Sequence, residues 1–420
     1  MTWARLAVLV AASLLLAGAA ARPPRGHLAT GRILVTGWPY FPGSVIPLRV
    51  SGFAPPYHAV LVGPGRLSDA TYEIGRVESA TKALLITGNA AGLGTTTIRI
   101  SPPPPVDRAL AIVASYNDGL VFHDARNFSV LGLLAMSGAP GAVAADSSGT
   151  IAAPDTDGTS LTRASLAPWS VATIGGVLTG DDVGIYSARG AIFVTNREAD
   201  GSGALTRVDR NGSVARIATG TTAEGLVIDQ RRGIVYVANT NDGTIAAVDA
   251  RSMHVLRRFR AVDRVFSLEL SPDGSTLFAV SNQSTASFLG AEGSVVAFAL
   301  RPSPRAVARS APLNFPLGIA LDAAAQRVFV TEEALAEVDV LDSRSLRRKR
   351  IPLHTCKTPW KPALDAQTHR LYVPCAGSDA IDVFDTATLR RVRGAPFRTG
   401  GYPLSLALWH PSERTLPRKR

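Results

Sequence analysis

The sequence predicts an all-β chain. Its main body reads as a seven-bladed β-propeller with 1+3 strand closure, preceded by a small immunoglobulin-like β-sandwich. Three observations predict this. Short Val/Ile/Thr/Phe runs are cut throughout by Gly, Asp, Asn and Pro. A four-strand unit recurs about every forty residues. Two incomplete units at the ends of the repeat region complement each other.

The unit is clearest between 224 and 260. Gly225-Leu226-Val227-Ile228-Asp229 reads as a strand and Gln230-Arg231-Arg232-Gly233 as a turn, followed by a second strand from Ile234 to Asn239. Asn241-Asp242-Gly243 marks a hairpin, because Asn and Gly tolerate positive φ. Thr244–Val248 and His254–Phe259 supply the third and fourth strands. Four antiparallel strands in about forty residues make one propeller blade. The second strands of the seven copies end at Ser115, Pro154, Asn196, Asn239, Ser281, Glu332 and Cys375, and one longer interval holds an insertion around 288–293. The first copy, Ala111 to Leu133, has no inner strand before it. Tyr402–Leu408, at the other end, is an inner strand with no outer strands after it. Joined, the two fragments complete one blade and remove the exposed edges of the ring.

Phe193-Val194-Thr195-Asn196 and Tyr236-Val237-Ala238-Asn239 are each followed by Asp-Gly and then Val-Asp. In this they resemble the repeats of YVTN-family propellers, over residues 108–411. The Gly-His and Trp-Asp signature of WD40 repeats is absent. The resemblance implies kinship with YncE-like exported propellers and, at greater distance, with lactonase-type propellers. It implies a non-catalytic envelope protein that binds a ligand or partner. The alternative is a lactonase-like hydrolase using a divalent cation at the channel mouth, and a third reading is an envelope scaffold. The repeat specifies a fold rather than an activity, since propellers host many functions.

Residues 1–21 read as a signal peptide: Arg5, an apolar run from Leu6 to Leu16, and Ala17-Gly18-Ala19-Ala20-Ala21 for cleavage. Ala19 stands where a lipoprotein signal requires Cys, so the expectation is a periplasmic or secreted protein without a lipid anchor. No later run is long and apolar enough to span a bilayer. After a linker over 22–30, residues 31–101 carry short strands at Ile33–Val35, Val45–Val50, Ala59–Val62, Ala83–Thr87 and Thr96–Ile100, a spacing that fits the sandwich. Pro102-Pro103-Pro104-Pro105 opens a stiff linker over 102–107. A basic tail covers 412–420.

The chain contains no HExxH, GxSxG, CxxC, P-loop or strand-linked GxGxxG, and its seven His are scattered. No catalytic residue is assigned. Propellers bind at the mouth of the central channel, which two sets of loops reach. Aligning the repeats brings Asp182, Glu224, Asn196 and Asn239 to one mouth, an oxygen set suited to Ca²⁺. The competing reading is that Asn196 and Asn239 cap their own turns; no other cofactor is expected. Glu332, Trp360 and Phe266 are the other mouth candidates, as ligand contacts. Glu332-Glu333 is the acidic pair there, but adjacent strand residues point to opposite faces and do not form the opposed carboxylates of a glycosidase. Asp124, Asp209, Asp249, Asp342 and Asp385 end third strands and read as turn formers.

The formal charge is +11. Much of it sits in runs on predicted fourth strands: Arg257-Arg258, Arg347-Arg348 and Arg390-Arg391. These either protect blade edges or attract an anionic polymer, without any base-reading motif. Cys356 lies in the segment entering the last full blade and Cys375 ends the second strand of that blade. Blade topology brings both to the same mouth, which predicts a disulfide, permitted by export; the rival reading is two separate buried thiols filling apolar space.

Overall fold

A computed structural model describes residues 32–33, 35–51, 58–68, 70–89, 92–282, 292–350 and 352–412. The expected signal peptide, the 22–30 linker, residues 413–420 of the basic tail and 288–291 of the insertion lie outside the described residues. The chain forms two units: Met1–Pro105 with Val130–Ser137, and Val106–Ser129 with Gly138–Arg420. Among the described residues, no helix is long and apolar enough to cross a membrane.

The first unit is all β. Thr81–Asn89 pairs with both His58–Val62 and Gly92–Ile100, and Thr71–Ile74 pairs with both Val45–Pro47 and Gly65–Leu67. Arg32–Ile33 pairs with Val50–Ser51. Ile98 and Ile100 alternate with polar neighbours along Gly92–Ile100 and are fully buried, as are Leu85 and Tyr72. The pair formed by Gly65–Leu67 and Thr71–Ile74 was not expected from the sequence. Nor was the membership of Val130–Ser137. The Phe41 and Val45 amides donate to the Leu133 and Ala135 carbonyls at 2.8 and 2.9 Å. Gly132 lies so close to the Phe41 ring that an added Cβ would sit 2.5 Å from it.

The second unit is a succession of antiparallel sheets. We number them by the repeat to which they belong. The second contains Ala144–Ala145, Thr150–Pro154, Ser160–Leu166 and Trp169–Gly175. The third contains Gly180–Tyr186, Ala191–Arg197, Ser202–Val208 and Val214–Thr221. Ala223–Asp229, Ile234–Asn239, Thr244–Asp249 and Val255–Arg260 form the fourth; Val265–Leu270, Thr276–Ser281, Glu292–Ala299 and Arg305–Arg309 form the fifth. Pro316–Asp322, Arg327–Glu332, Glu337–Asp342 and Leu353–His354 form the sixth. The seventh is Ala363–Asp365, Arg370–Cys375, Ala380–Asp385 and Arg390–Arg391. In the first, Leu110–Ser115 pairs on one side with Gly119–Asp124 and on the other with the C-terminal strand Pro403–Trp409, with Ser115 opposite Pro403 and Leu110 opposite Trp409.

The leading strands of successive sheets pack side by side from Ala144–Ala145 through Ala363–Asp365, and Pro403–Trp409 lies between the last and the first of them. A circuit of hydrogen bonds accompanies this ring. Thr156, Thr195, Thr240, Ser267 and Thr331 each donate a hydroxyl to the backbone carbonyl at the start of the next sheet: Gly180, Glu224, Val265, Leu317 and Trp360. The Lys361 amide donates to Leu404 O at 3.2 Å, and the Val143 amide to Ser405 Oγ at 3.0 Å. Apolar side chains fill the space between sheets; Tyr236, Ala238, Leu277 and Phe298 share one such cluster.

A second device repeats at the ends of third strands. Asp249, Asp342 and Asp385 accept backbone N–H groups two or three residues ahead. Four residues after Asp124, Asp249, Asp342 and Asp385 come Phe128, Met253, Leu346 and Leu389, all buried at positive φ, each donating its amide back to the aspartate carbonyl. The Asp342 carboxyl is held well below its usual range, first by the Ser345 amide and then by Lys349.

One outer strand differs from expectation. Arg347–Arg350 does not form the fourth strand of the sixth sheet; Leu353–His354 does, and only Arg348 makes an isolated bridge, to Leu341.

Candidate functional site

Where the leading strand enters a sheet, the register to its neighbour slips. The slips fall between Gly180 and Asp182, Ala223 and Leu226, Val265 and Ser267, Pro316 and Ile319, and Pro403 and Ser405. A bulge of this kind re-aims the extra residue. It sets Asp181, Glu224 and Phe266 at one end of the channel. A cavity of about 150 Å³ lies there, lined by residues of several sheets including Asp182, Ser267, Ile319, Lys361 and Ser405.

Lys361 organises this mouth. From the seventh sheet its Nζ reaches the third, 3.3 Å from Asp182 Oδ2 and 3.5 Å from the Asp181 carbonyl, and it lies 5.9 Å from the centroid of the Phe266 ring. Arg197 pairs with Asp181 at 3.0 Å. The other carboxylate oxygen of Asp181 is buried without a hydrogen-bond partner among the described residues. Burial pushes the Asp181 carboxyl above its ordinary range, against the pull of Arg197 and Lys361. Burial likewise raises Glu224, assisted by the charge of Asp181 and opposed by Arg197, Lys361 and Arg264. Two carboxyls with raised proton affinity thus stand within the field of three cations. Sequence alignment selected Asp182 for this position; the bulged residue is its neighbour Asp181. The Asp181-Asp182 dipeptide at a sheet entrance was the available signal.

Three of the four residues expected to hold calcium make structural hydrogen bonds. Asp182 accepts the Val183 and Leu226 amides at 3.0 and 3.1 Å, tying the third sheet to the fourth. Asn196 is fully buried, donates to Leu178 O and accepts from Thr206. Asn239, also buried, donates to Thr219 O and Thr244 Oγ1 at 3.1 Å each. Asn196 and Asn239 stand opposite Gly180 and Ala223 at the entrances of their sheets, and Asn239 Oδ1 is buried without a partner among the described residues. Among the described residues no three His, Cys, Asp or Glu side chains converge as metal ligands.

The placement of Asn196 and Asn239 belongs to a pattern. The last residue of the second strand repeatedly latches the loop that enters its own sheet. Ser281 bonds Asp263 O in the fifth sheet, and Glu332 accepts the Asn314 amide in the sixth. In the seventh the latch is covalent: Cys356 and Cys375 form a disulfide with Cα atoms 5.6 Å apart. Glu332 is therefore not a ligand contact at the mouth. It is fully buried beside Asp339 and Arg348, which lies 3.7 Å away. Burial and the hydrogen bond to Asp339 raise its carboxyl to about 8. Glu333 is half-buried and raised by burial alone. Trp360 is half-buried at the entrance to the seventh sheet. Its carbonyl accepts Thr331, and its buried indole N–H has no partner among the described residues.

The basic runs divide into two groups. Arg348 pairs with fully buried Asp339, with Nη2 2.8 Å from Oδ2. Arg391 grips fully buried Asp382 through Nε at 2.9 Å and Nη2 at 2.8 Å, and its guanidinium lies over Phe384. These two serve their own sheets. Arg257, Arg258, Arg347 and Arg390 are exposed.

No protein-family model and no curated protein matches the sequence. Solved structures do match its architecture. A functionally unknown protein from Desulfotomaculum acetoxidans is 16% identical over 72% of this chain and 99% of its own, with a TM-score of 0.60. A Bacteroides uniformis protein assigned provisionally as a 6-phosphogluconolactonase is 10% identical over 72% and 99%, also at 0.60. The periplasmic gluconolactonase of Pseudomonas aeruginosa is 15% identical over 71% and 98%, at 0.58. The chain has a β-propeller-like all-β fold.

Proposed function

We propose that the protein is an exported, seven-bladed, YVTN/YncE-like β-propeller that binds a small polar ligand at the channel mouth without turning it over. The observation that carries this reading is a cavity of about 150 Å³ lined by the Asp182–Lys361 ion pair, with the Arg197–Asp181 pair and Glu224 adjoining it. Fixed charges of both signs, converging on a small preformed space beside Phe266, are the usual makings of a selective polar site. The ring of leading strands and the pairing of Pro403–Trp409 with Leu110–Ser115 support seven blades. The first unit, with its two three-stranded sheets, supports the reading of a small sandwich.

A second reading is favoured by the neighbours described as lactonases: hydrolysis of a sugar lactone at the same mouth. A divalent cation at the mouth would assist such a hydrolase, and the raised carboxyl of Glu224 is the candidate proton acceptor for water. Incubation of the purified protein with glucono-1,5-lactone separates the two. The binding reading expects no hydrolysis above the spontaneous rate, with gluconate or the lactone raising the melting temperature. Turnover abolished by Glu224→Gln would replace it with the hydrolase.

A further inference from the structure

A second cavity, of about 220 Å³, lies on the outer side of the fourth and fifth sheets, away from the channel. Its floor is apolar: Ile234, Tyr236, Phe259 and Leu300. Tyr236, Ala247 and Arg257 are directly opposite one another on three adjacent strands, so their side chains share one face. Arg301 and Pro302, following the third strand of the fifth sheet, close the other wall.

Two features mark this groove as more than a gap between sheets. Tyr236 is 7% exposed, yet its hydroxyl makes no hydrogen bond among the described residues. The hydroxyl itself stays solvent-accessible in the groove that Tyr236 lines, open to a ligand. Arg257 and Arg301 are exposed and likewise make no hydrogen bond or ion pair among the described residues. Arg232, also on the rim, is already held by Asp229 at 2.6 Å and by the carbonyls of Asp273 and Gly274. Burial and then the charge of Asp229 raise the phenol, while Arg232, Arg301 and Arg257 oppose that rise, which places three guanidiniums and one carboxylate, itself paired with Arg232, within electrostatic reach of the hydroxyl.

We propose that this groove binds a small carboxylate carrying an apolar body. A carboxylate matches guanidinium geometry bidentately and can accept the Tyr236 hydroxyl as well. The apolar body would cover Phe259 and the exposed side chain of Leu256, which is 56% accessible. A long polyanion is disfavoured, because it needs surface charge but not the aromatic floor.

Phenylacetate titrated into the purified chain, read by calorimetry, tests the proposal. Saturable one-to-one binding is expected, with neutral 2-phenylethanol about tenfold weaker or worse. The double variant Arg257→Gln/Arg301→Gln should lose about tenfold in affinity. Arg258→Gln, on the opposite face of the same strand, should leave binding unchanged. Melting curves matching the wild type would establish that these surface variants fold. Absence of saturation, equal binding of the neutral analogue, or an equal loss in Arg258→Gln would overturn the proposal.

Discussion

Glu332, Asp339 and Arg348 show how a residue that looks functional in sequence becomes structural in three dimensions. A buried carboxyl beside a second carboxylate is costly to ionise. The folded value of Glu332, about 8, is above the ordinary 4.5. The folded chain therefore keeps a proton that the unfolded chain releases. The stability due to this group is complete below the ordinary value and falls as pH rises to about 8, by at most about 1.4 kcal/mol per pH unit. Glu332→Gln should flatten the urea-unfolding free energy across that window; an unchanged slope would dismiss the assignment. At Arg391 the logic concerns a partner left behind. Arg391→Met strands the fully buried Asp382 and should cost on the order of 2 kcal/mol, discounted because Arg391 is itself 43% exposed. Neighbouring Arg390→Met should stay within about 0.5 kcal/mol. Equal effects in chemical denaturation would mean that Asp382 does not need its arginine.

Among elements, the latch at the end of five of the second strands explains why site residues were hard to read. Asn196, Asn239, Ser281, Glu332 and Cys375 occupy one repeat position, and the sequence shows their register clearly. It does not show whether that position faces the channel or the entering loop of its own sheet, because loops on both sides are short and polar. The disulfide was legible, since it needed only the proximity of two loops. Asp181 was missed because a β-bulge shifts register by one residue, and bulges leave little trace in hydrophobic alternation. The buried left-handed residues Phe128, Met253, Leu346 and Leu389 were missed for a similar reason: large apolar residues are not expected at positive φ. The disulfide closes a loop with a sequence separation of 19. Chain entropy gives such a loop about 3 kcal/mol. The Cys356→Ser/Cys375→Ser protein should lose a comparable amount in guanidinium unfolding, and no measurable loss would show that the Thr355 hydroxyl, which donates to Asp382 Oδ2 at 3.0 Å, suffices to hold the loop.

At the scale of the molecule, strand order and period were legible from the alternation of apolar residues and the turn signals. The C-terminal strand was expected to complete the first sheet, and Pro403–Trp409 does pair with Leu110–Ser115. The membership of Val130–Ser137 was not legible, since it depends on Phe41 and Ser44, some ninety residues earlier. Removal of residues 402–420 leaves Leu110–Ser115 with an open edge and buried Trp409 missing. The truncated chain should lose its single cooperative unfolding transition; a full-length-like melt would refute closure. The functional account rests on the mouth around Lys361, and the most direct measurement is the melting temperature in the presence of small sugar acids, gluconate first. Binding to the native state alone raises it. The account predicts a rise in the wild type that disappears in Lys361→Met/Glu224→Gln; a rise that survives in that variant, or none with any sugar acid, would contradict it.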